Sequence, residues 1–217
     1  MPNYCNFQMK IKGQEKNVKT LIEWLRSDYT YMTDGDDYPW TKEETLKERK
    51  YHYQDGKHHL YTDAEKHFWR VFELYDNDEG YEGKDYVAYV DGYCAWSVYC
   101  CMFSGPHTYS SLSDDDQYKK LKLEHSTNMS EATRMLGLEV EIVSYEPGMC
   151  FAEHYVVKDG DIVEEESFEY NEYFLDHTMT KEEVEKEYGI SISDAEWETQ
   201  DYIIQCEIDP LEPMWSI

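Results

Sequence analysis

The chain has 217 residues, of which 47 are Asp or Glu and 20 are Lys or Arg, giving a formal net charge of −27. That sign excludes charge-driven binding to a phosphate backbone and favours a basic protein partner. A mean hydropathy of −0.82 would suit a disordered chain, but 21 Tyr, 7 Phe and 6 Trp supply large buriable side chains throughout and predict a folded protein. No stretch approaches the 18 apolar residues of a membrane span, and no basic segment followed by an apolar run opens the chain, so a cytoplasmic protein without a membrane partner is expected.

In chain order, residues 4–12 alternate apolar and polar positions, with Phe7, Met9 and Ile11 on one face, and predict a half-buried strand ended by Gly13. Val18, Leu21, Ile22 and Leu25 then recur at spacings of three and four and predict an amphipathic helix over 15–26. Residues 27–63 lack a sustained period, apart from a charged run at 42–49 that suits a short helix, and read as part of an insertion over about 27–66. Order returns with a strand at 67–75, and turn chemistry follows at 76–83. Residues 86–90 and 93–103, with Asp91-Gly92 between them, predict a hairpin whose second strand is apolar enough to be covered on both faces. A polar loop precedes a short helix at 131–136, opened by Ser130 and ended by Gly137. A strand at 138–145, a turn at Pro147-Gly148, and a second hairpin of 149–157 and 162–170 across Asp159-Gly160 come next. A helix at 181–188 ended by Gly189 and an apolar segment at 202–208 complete the reading.

The order β, α, β, β, α, β followed by extra strands predicts an α+β fold with a ferredoxin-like split βαβ core. With the strands placed, the opening Met1-Pro2-Asn3-Tyr4-Cys5-Asn6 resembles the start of the YubB-like proteins of plasmids and phages. Gly92-Tyr93-Cys94-Ala95-Trp96-Ser97-Val98 is also similar, as is Tyr145-Glu146-Pro147-Gly148-Met149-Cys150-Phe151 followed by Glu153 and Tyr155. The resemblance touches about 1–170 and implies a ferredoxin-like core in a mobile-element context. It carries over no catalytic residues. The insertion after the first helix and the acidic C-terminal third depart from the pattern. Residues 1–170 are therefore expected to form the core domain, with 171–217 as an acidic extension packed on it.

The sequence offers no clear catalytic constellation. Phosphate-binding glycine motifs and the H-E-x-x-H zinc motif are absent, and none of the six cysteines forms a C-x-x-C pair. Unbridged, buried cysteines acting as small hydrophobes are the expectation. Cys150 and His154 would share a strand face about 13 Å apart, beyond hydrogen-bond reach, so this pair does not predict a cysteine enzyme. His52, His58, His59 and His67 cluster without the spacing of a known metal site. The acidic clusters Asp76-x-Asp78 and Asp114 to Asp116 do not extend into a calcium-binding helix-loop-helix. Neither a cofactor nor a metal is expected.

The acidic excess is uneven. Between Asp161 and Asp201 stand 15 acidic residues against Lys181 and Lys186 alone. Glu164, Glu165, Glu166 and Glu169 fall on the predicted strand, Glu172 and Asp176 follow it, and Glu182 and Glu183 open the predicted helix. With Asp114, Asp115 and Asp116 they form the candidate partner-binding surface, and Phe168, Tyr170, Tyr173, Phe174 and Trp197 are aromatic anchors among them. The expected function is that of a non-enzymatic mobile-element protein that binds and inhibits a basic nucleic-acid-binding host protein, such as a defence nuclease, in the manner of an anti-CRISPR. The alternative is a small-ligand or metal-binding protein, or an enzyme, with its pocket built by the Tyr- and His-rich insertion. A third reading is an acidic accessory protein with no inhibitory role.

Overall fold

Strand β1 (Tyr4–Gly13) alternates as its sequence requires, with Cys5, Phe7, Met9 and Ile11 at most 2% exposed and Tyr4, Asn6, Gln8 and Lys10 on the other face. The structure, a computed structural model, describes residues 4–35, 49–104, 121, 123–146, 148–169, 180–189 and 191–199. Helix α1 (Glu15–Arg26) covers the apolar face of β1 with Val18, Leu21, Ile22, Trp24 and Leu25. After it come β2 (Tyr29–Thr33), β3 (Tyr51–Asp55), β4 (His58–Thr62), β5 (Val71–Glu82) and β6 (Asp85–Ala95). A π-helical turn (Tyr99–Ser104), α2 (Met129–Leu136), β7 (Glu139–Glu146), β8 (Phe151–Lys158), β9 (Asp161–Glu169), α3 (Lys181–Tyr188) and α4 (Asp194–Thr199) follow.

The fold is α+β with two antiparallel sheets. The larger has the strand order β5-β6-β1-β7-β8-β9, and the smaller β2-β4-β3. β1 is central, paired with β6 from Tyr4↔Ala95 to Gly13↔Tyr86 and with β7 from Asn6↔Tyr145 to Lys12↔Glu139. Helices α1 and α2 share one sheet face and meet there, where Asn17 Nδ2 donates to the Leu136 carbonyl at 2.7 Å. Asn128, and not Ser130 as the sequence predicted, caps α2 by accepting from the Glu131 amide at 2.9 Å, so the helix starts two residues earlier than expected. Full burial of a core side chain such as Phe7 contributes about 1.5–3 kcal/mol, so the helix-covered face carries much of the stability.

The segment without a period in the sequence forms the smaller sheet. All five residues of β4 are buried. Arg49 fixes its base by reaching Asp63 at 2.5 Å and Asp28 at 2.6 Å. Ser27 Oγ and Thr62 Oγ1 lie 2.8 Å apart beside them. The predicted helix at 42–49 lies outside the described residues except for Arg49, as do Pro147 and the segment 202–208.

Three expectations need correction. No hairpin forms at Asp91-Gly92, because β6 runs straight through both. Gly92 serves close packing instead: a Cβ there would stand 2.5 Å from the Glu73 carbonyl oxygen and 2.7 Å from Phe7 Cζ. Of the predicted turn at 76–83, residues 76–82 are strand, and the β5-β6 hairpin turns at Gly83, whose φ is +67°. The apolar run 94–103 is not a strand beyond Ala95. Trp96 takes φ +66°, and the chain then winds helically, with the Cys101 amide donating to the Ser97 carbonyl at 3.1 Å. The buried Glu153 carboxylate accepts from the Val98 amide at 3.0 Å and so caps that helical start.

Candidate partner-binding surface

Among the described residues strand β9 ends the larger sheet and pairs only with β8, in the register Glu164↔Val156, Glu165↔Tyr155 and Glu166↔His154. A register shift between Val156 and Val157 bulges the strand near its start. Every residue from Asp161 to Ser167 is exposed. The alternation of the strand sends Glu164 and Glu166 to one face and Glu165 to the other, so both faces of this edge carry carboxylates. Among the described residues none of the three carboxylates makes a hydrogen bond or an ion pair. The neighbouring imidazole His154 is engaged from the other side, 3.1 Å from Glu141 of β7.

The remaining candidate residues divide by element. Glu169 ends β9. Glu182 is exposed on α3, whereas Glu183 is committed to helix capping: its carboxylate accepts from the Thr180 amide at 2.7 Å, and its own amide donates to Thr180 Oγ1 at 3.3 Å. Lys181 bridges to Asp194 of α4 at 2.8 Å. Glu172, Asp176, Asp114, Asp115 and Asp116 lie outside the described residues, as do Tyr170, Tyr173 and Phe174. The structure thus gathers Glu164, Glu165 and Glu166 on one edge and places Glu182 and Glu183 on a separate helix.

Beneath this edge is a carboxylate that sequence reasoning did not single out as a structural group. Glu153 is only 6% exposed on β8 and bonds to the Val98 amide, to Ser144 Oγ at 3.2 Å and to the Tyr155 hydroxyl at 3.2 Å. Burial pushes its carboxyl above the usual range, and these donors oppose that shift. The Tyr155 hydroxyl is held far above its ordinary value, first by burial and then by the Glu153 carboxylate.

The histidines separate into different environments. His52 Nε2 lies 2.9 Å from His59 Nδ1, and His59 Nε2 lies 2.9 Å from Asp34, a chain across the smaller sheet with His52 stacked 4.4 Å from Tyr61. Burial, then the neighbouring His59, lowers the proton affinity of His52. The His67 backbone forms a β-bridge with Ser126, and its ring packs 4.3 Å from that of Tyr29. No group of three or more metal-ligating side chains converges among the described residues. A cavity of about 400 Å³ between α1 and the smaller sheet includes Lys19, Arg26 and Lys50, but Lys19 is paired with Glu15 and Lys50 with Glu23, each at 2.6 Å.

Of the cysteines, Cys5, Cys94 and Cys101 are buried thiols as expected, whereas Cys100 and Cys150 are partly exposed. The neighbouring Cys101 and Cys5 thiols, and then burial, push the Cys94 thiol well above its ordinary value. No helix among the described residues is long and apolar enough to cross a membrane. No family model, curated protein or solved structure matches the chain.

Proposed function

We propose that this chain is a non-enzymatic acidic protein of a mobile genetic element that binds and inhibits a basic nucleic-acid-binding host protein, a defence nuclease in the manner of an anti-CRISPR. The observation that carries this reading is the row Glu164, Glu165 and Glu166, exposed on the edge strand of the described sheet with carboxylates that have no side-chain partner among the described residues. Carboxylates on the same strand face repeat at about 6.6 Å, a regular negative array that suits a Lys- and Arg-lined groove built for phosphates. Side chains already committed to internal pairs would have to surrender them on binding, whereas these three do not. Such a surface speeds encounter and selects basic partners.

The mobile-element context rests on the motifs around Tyr4, Trp96 and Gly148. The ferredoxin-like reading of the core is supported by the order β5-β6-β1-β7, in which β1 and β5 are parallel with β6 between them and α1 and α2 lie on one face. The deciding experiment is competition: the protein is titrated into a complex of a basic defence nuclease and its guide or target nucleic acid at low and high salt. Displacement that weakens as salt rises, and that is lost in Glu164→Lys/Glu165→Lys/Glu166→Lys, is expected. Displacement unchanged by that reversal overturns the acidic-edge mechanism.

The Asp34, His59 and His52 chain favours a second reading, a small-ligand site on the smaller sheet. A stoichiometric ligand in the purified protein, lost on His52→Ala or His59→Ala, would replace the first reading with this one.

A further inference from the structure

At the other end of the sheet, β6 places Tyr93 on the face opposite the helices, between Tyr4 of β1 and Phe72 and Tyr75 of β5. Its ring centroid lies 5.2 Å from Tyr4, 5.8 Å from Phe72 and 5.5 Å from Tyr75, and Tyr4 meets Phe72 edge to face at 5.9 Å. Clustered aromatic rings usually gather to leave water, yet Tyr4, Phe72 and Tyr75 remain 52%, 46% and 54% exposed. A patch of this kind marks an interaction site more often than a scattered surface ring does. Carboxylates border it. Glu73 accepts from the Tyr93 hydroxyl at 3.3 Å, and Asp91 stands two residues along β6. Burial, then the Glu73 carboxylate, raises the hydroxyl proton affinity of both Tyr75 and Tyr93. Beside the rings Tyr75, Tyr145, Asn6, Gln8 and Asp91 line a hollow of about 120 Å³. Cofactor and drug-sized ligands need roughly 300 Å³ or more, so the hollow suits the end of one side chain.

The same protein shows what completes such an arrangement. On this sheet face Lys10 Nζ stands 5.1 Å over the Tyr89 ring and 3.6 Å from Glu82. Lys19 repeats the pattern over Tyr86 at 5.3 Å, paired with Glu15. Each internal example combines a ring face, a carboxylate and a cation. Around Tyr93 the rings and the carboxylates are present, and no Lys or Arg among the described residues stands over Tyr4, Phe72, Tyr75 or Tyr93. Ring faces attract cations through their quadrupole, and Glu73 and Asp91 repel the phosphate that a nucleotide would bring.

We propose that Tyr4, Phe72, Tyr75 and Tyr93, with Glu73 and Asp91, form a cage for an arginine or lysine side chain of a basic protein partner. The identity of the partner as a basic protein rests on the function proposed above, whereas recognition of the cation does not require the β9 edge. Two separated contacts, an acidic edge and an aromatic cage at the opposite end of one rigid sheet, would fix the orientation of the bound protein.

The test uses N-acetylarginine amide as the probe and its neutral isostere N-acetylcitrulline amide as the control, followed through the aromatic ring resonances of the intact chain. Arginine amide is expected to shift the Tyr4, Tyr75 and Tyr93 rings at concentrations at least fivefold below those of citrulline amide. Phe72→Ala/Tyr75→Ala, at two exposed positions, should weaken that response at least fivefold, while Tyr75→Phe and Glu164→Lys/Glu165→Lys/Glu166→Lys should change it less than twofold. Equal responses to the two probes, or an unchanged response in Phe72→Ala/Tyr75→Ala, would overturn the cage. Uridine monophosphate shifting the same rings at lower concentration than arginine amide would also overturn it, in favour of a nucleobase platform. If the β9 reversal leaves nuclease displacement intact, the acidic-edge reading falls while the arginine response still judges the cage.

Discussion

The β5-β6 and β9 ends of the larger sheet both carry many carboxylates, but Glu73, Glu82 and Asp85 at the first are joined to partners, whereas the Glu164, Glu165 and Glu166 side chains at the second have none among the described residues. Glu82 meets Lys10 at 3.6 Å and the Tyr89 hydroxyl at 2.8 Å, Asp85 meets Lys12 at 3.4 Å, and Glu73 accepts from Tyr93. On β9 the only described pair is Asp161 with Arg134 at 4.0 Å, at the very start of the strand. Charge density therefore does not distinguish the two ends; the supply of internal cations and hydroxyls does. At the β5-β6 end Lys10, Lys12 and tyrosines are interleaved with the acids, and among the described residues none serves Glu164, Glu165 or Glu166. A row of glutamates on an edge strand also deters pairing with a second copy of the sheet.

The sharpest way to test the contrast compares carboxylates one strand apart. Glu153→Ala should cost about 2–4 kcal/mol in urea unfolding, because it strips an acceptor from the buried Val98 amide, Ser144 and Tyr155. Glu165→Ala, exposed and unbonded, should change stability by less than about 0.5 kcal/mol. Equal losses would erase the distinction between a structural and an available carboxylate.

Next in size, Glu164→Lys/Glu165→Lys/Glu166→Lys should lower affinity for the basic nuclease about tenfold or more, roughly 1.4 kcal/mol, with its unfolding midpoint nearly unchanged. Reversing Glu79, Glu82 and Asp85 at the other end should lower that affinity less than about threefold.

A pH titration separates the buried acid further. The folded-state proton affinity of Glu153 is raised above its unfolded value near 4.5, so its contribution is most favourable below pH 4.5. That contribution is lost as pH rises through the folded-state value. Glu153→Gln should therefore remove a decline in stability on the alkaline side of 4.5. Glu139 has the opposite sign: Lys158 at 2.8 Å lowers its proton affinity, and the stability it adds above 4.5 is lost as pH falls through its folded-state value. A modest loss is expected for Lys10→Met, about 0.5–1 kcal/mol by thermal unfolding, from loss of the Tyr89 and Glu82 contacts.

What the sequence revealed follows the range of the forces involved. β1, α1, α2, β7, the β8-β9 hairpin and α3 are announced by periodicity and caps within a few residues of themselves. Gly92 misled because its reason is a carbonyl on β5 and a ring on β1, which no local window contains. The helical turn after Trp96 left a faint trace in the spacing of Val98, Cys101 and Met102, all buried, but its cap, Glu153, is 55 residues away. The acidity of β9 was legible from composition, whereas its lack of partners was not. The ring cluster was legible only as single tyrosines, because register across three strands brings Tyr4, Tyr93 and Tyr75 together.

The central position of β1 also governs how the protein is made. Its two neighbours are β6 and β7, which end at Ala95 and Glu146, so the ribosome delivers β1 long before it delivers either of them. Until then Phe7, Met9 and Ile11 have only the adjoining helix α1 to shelter them, and closing such long loops is slow. The nascent chain therefore carries an unpaired apolar strand through much of its synthesis, the state in which chaperones are most needed.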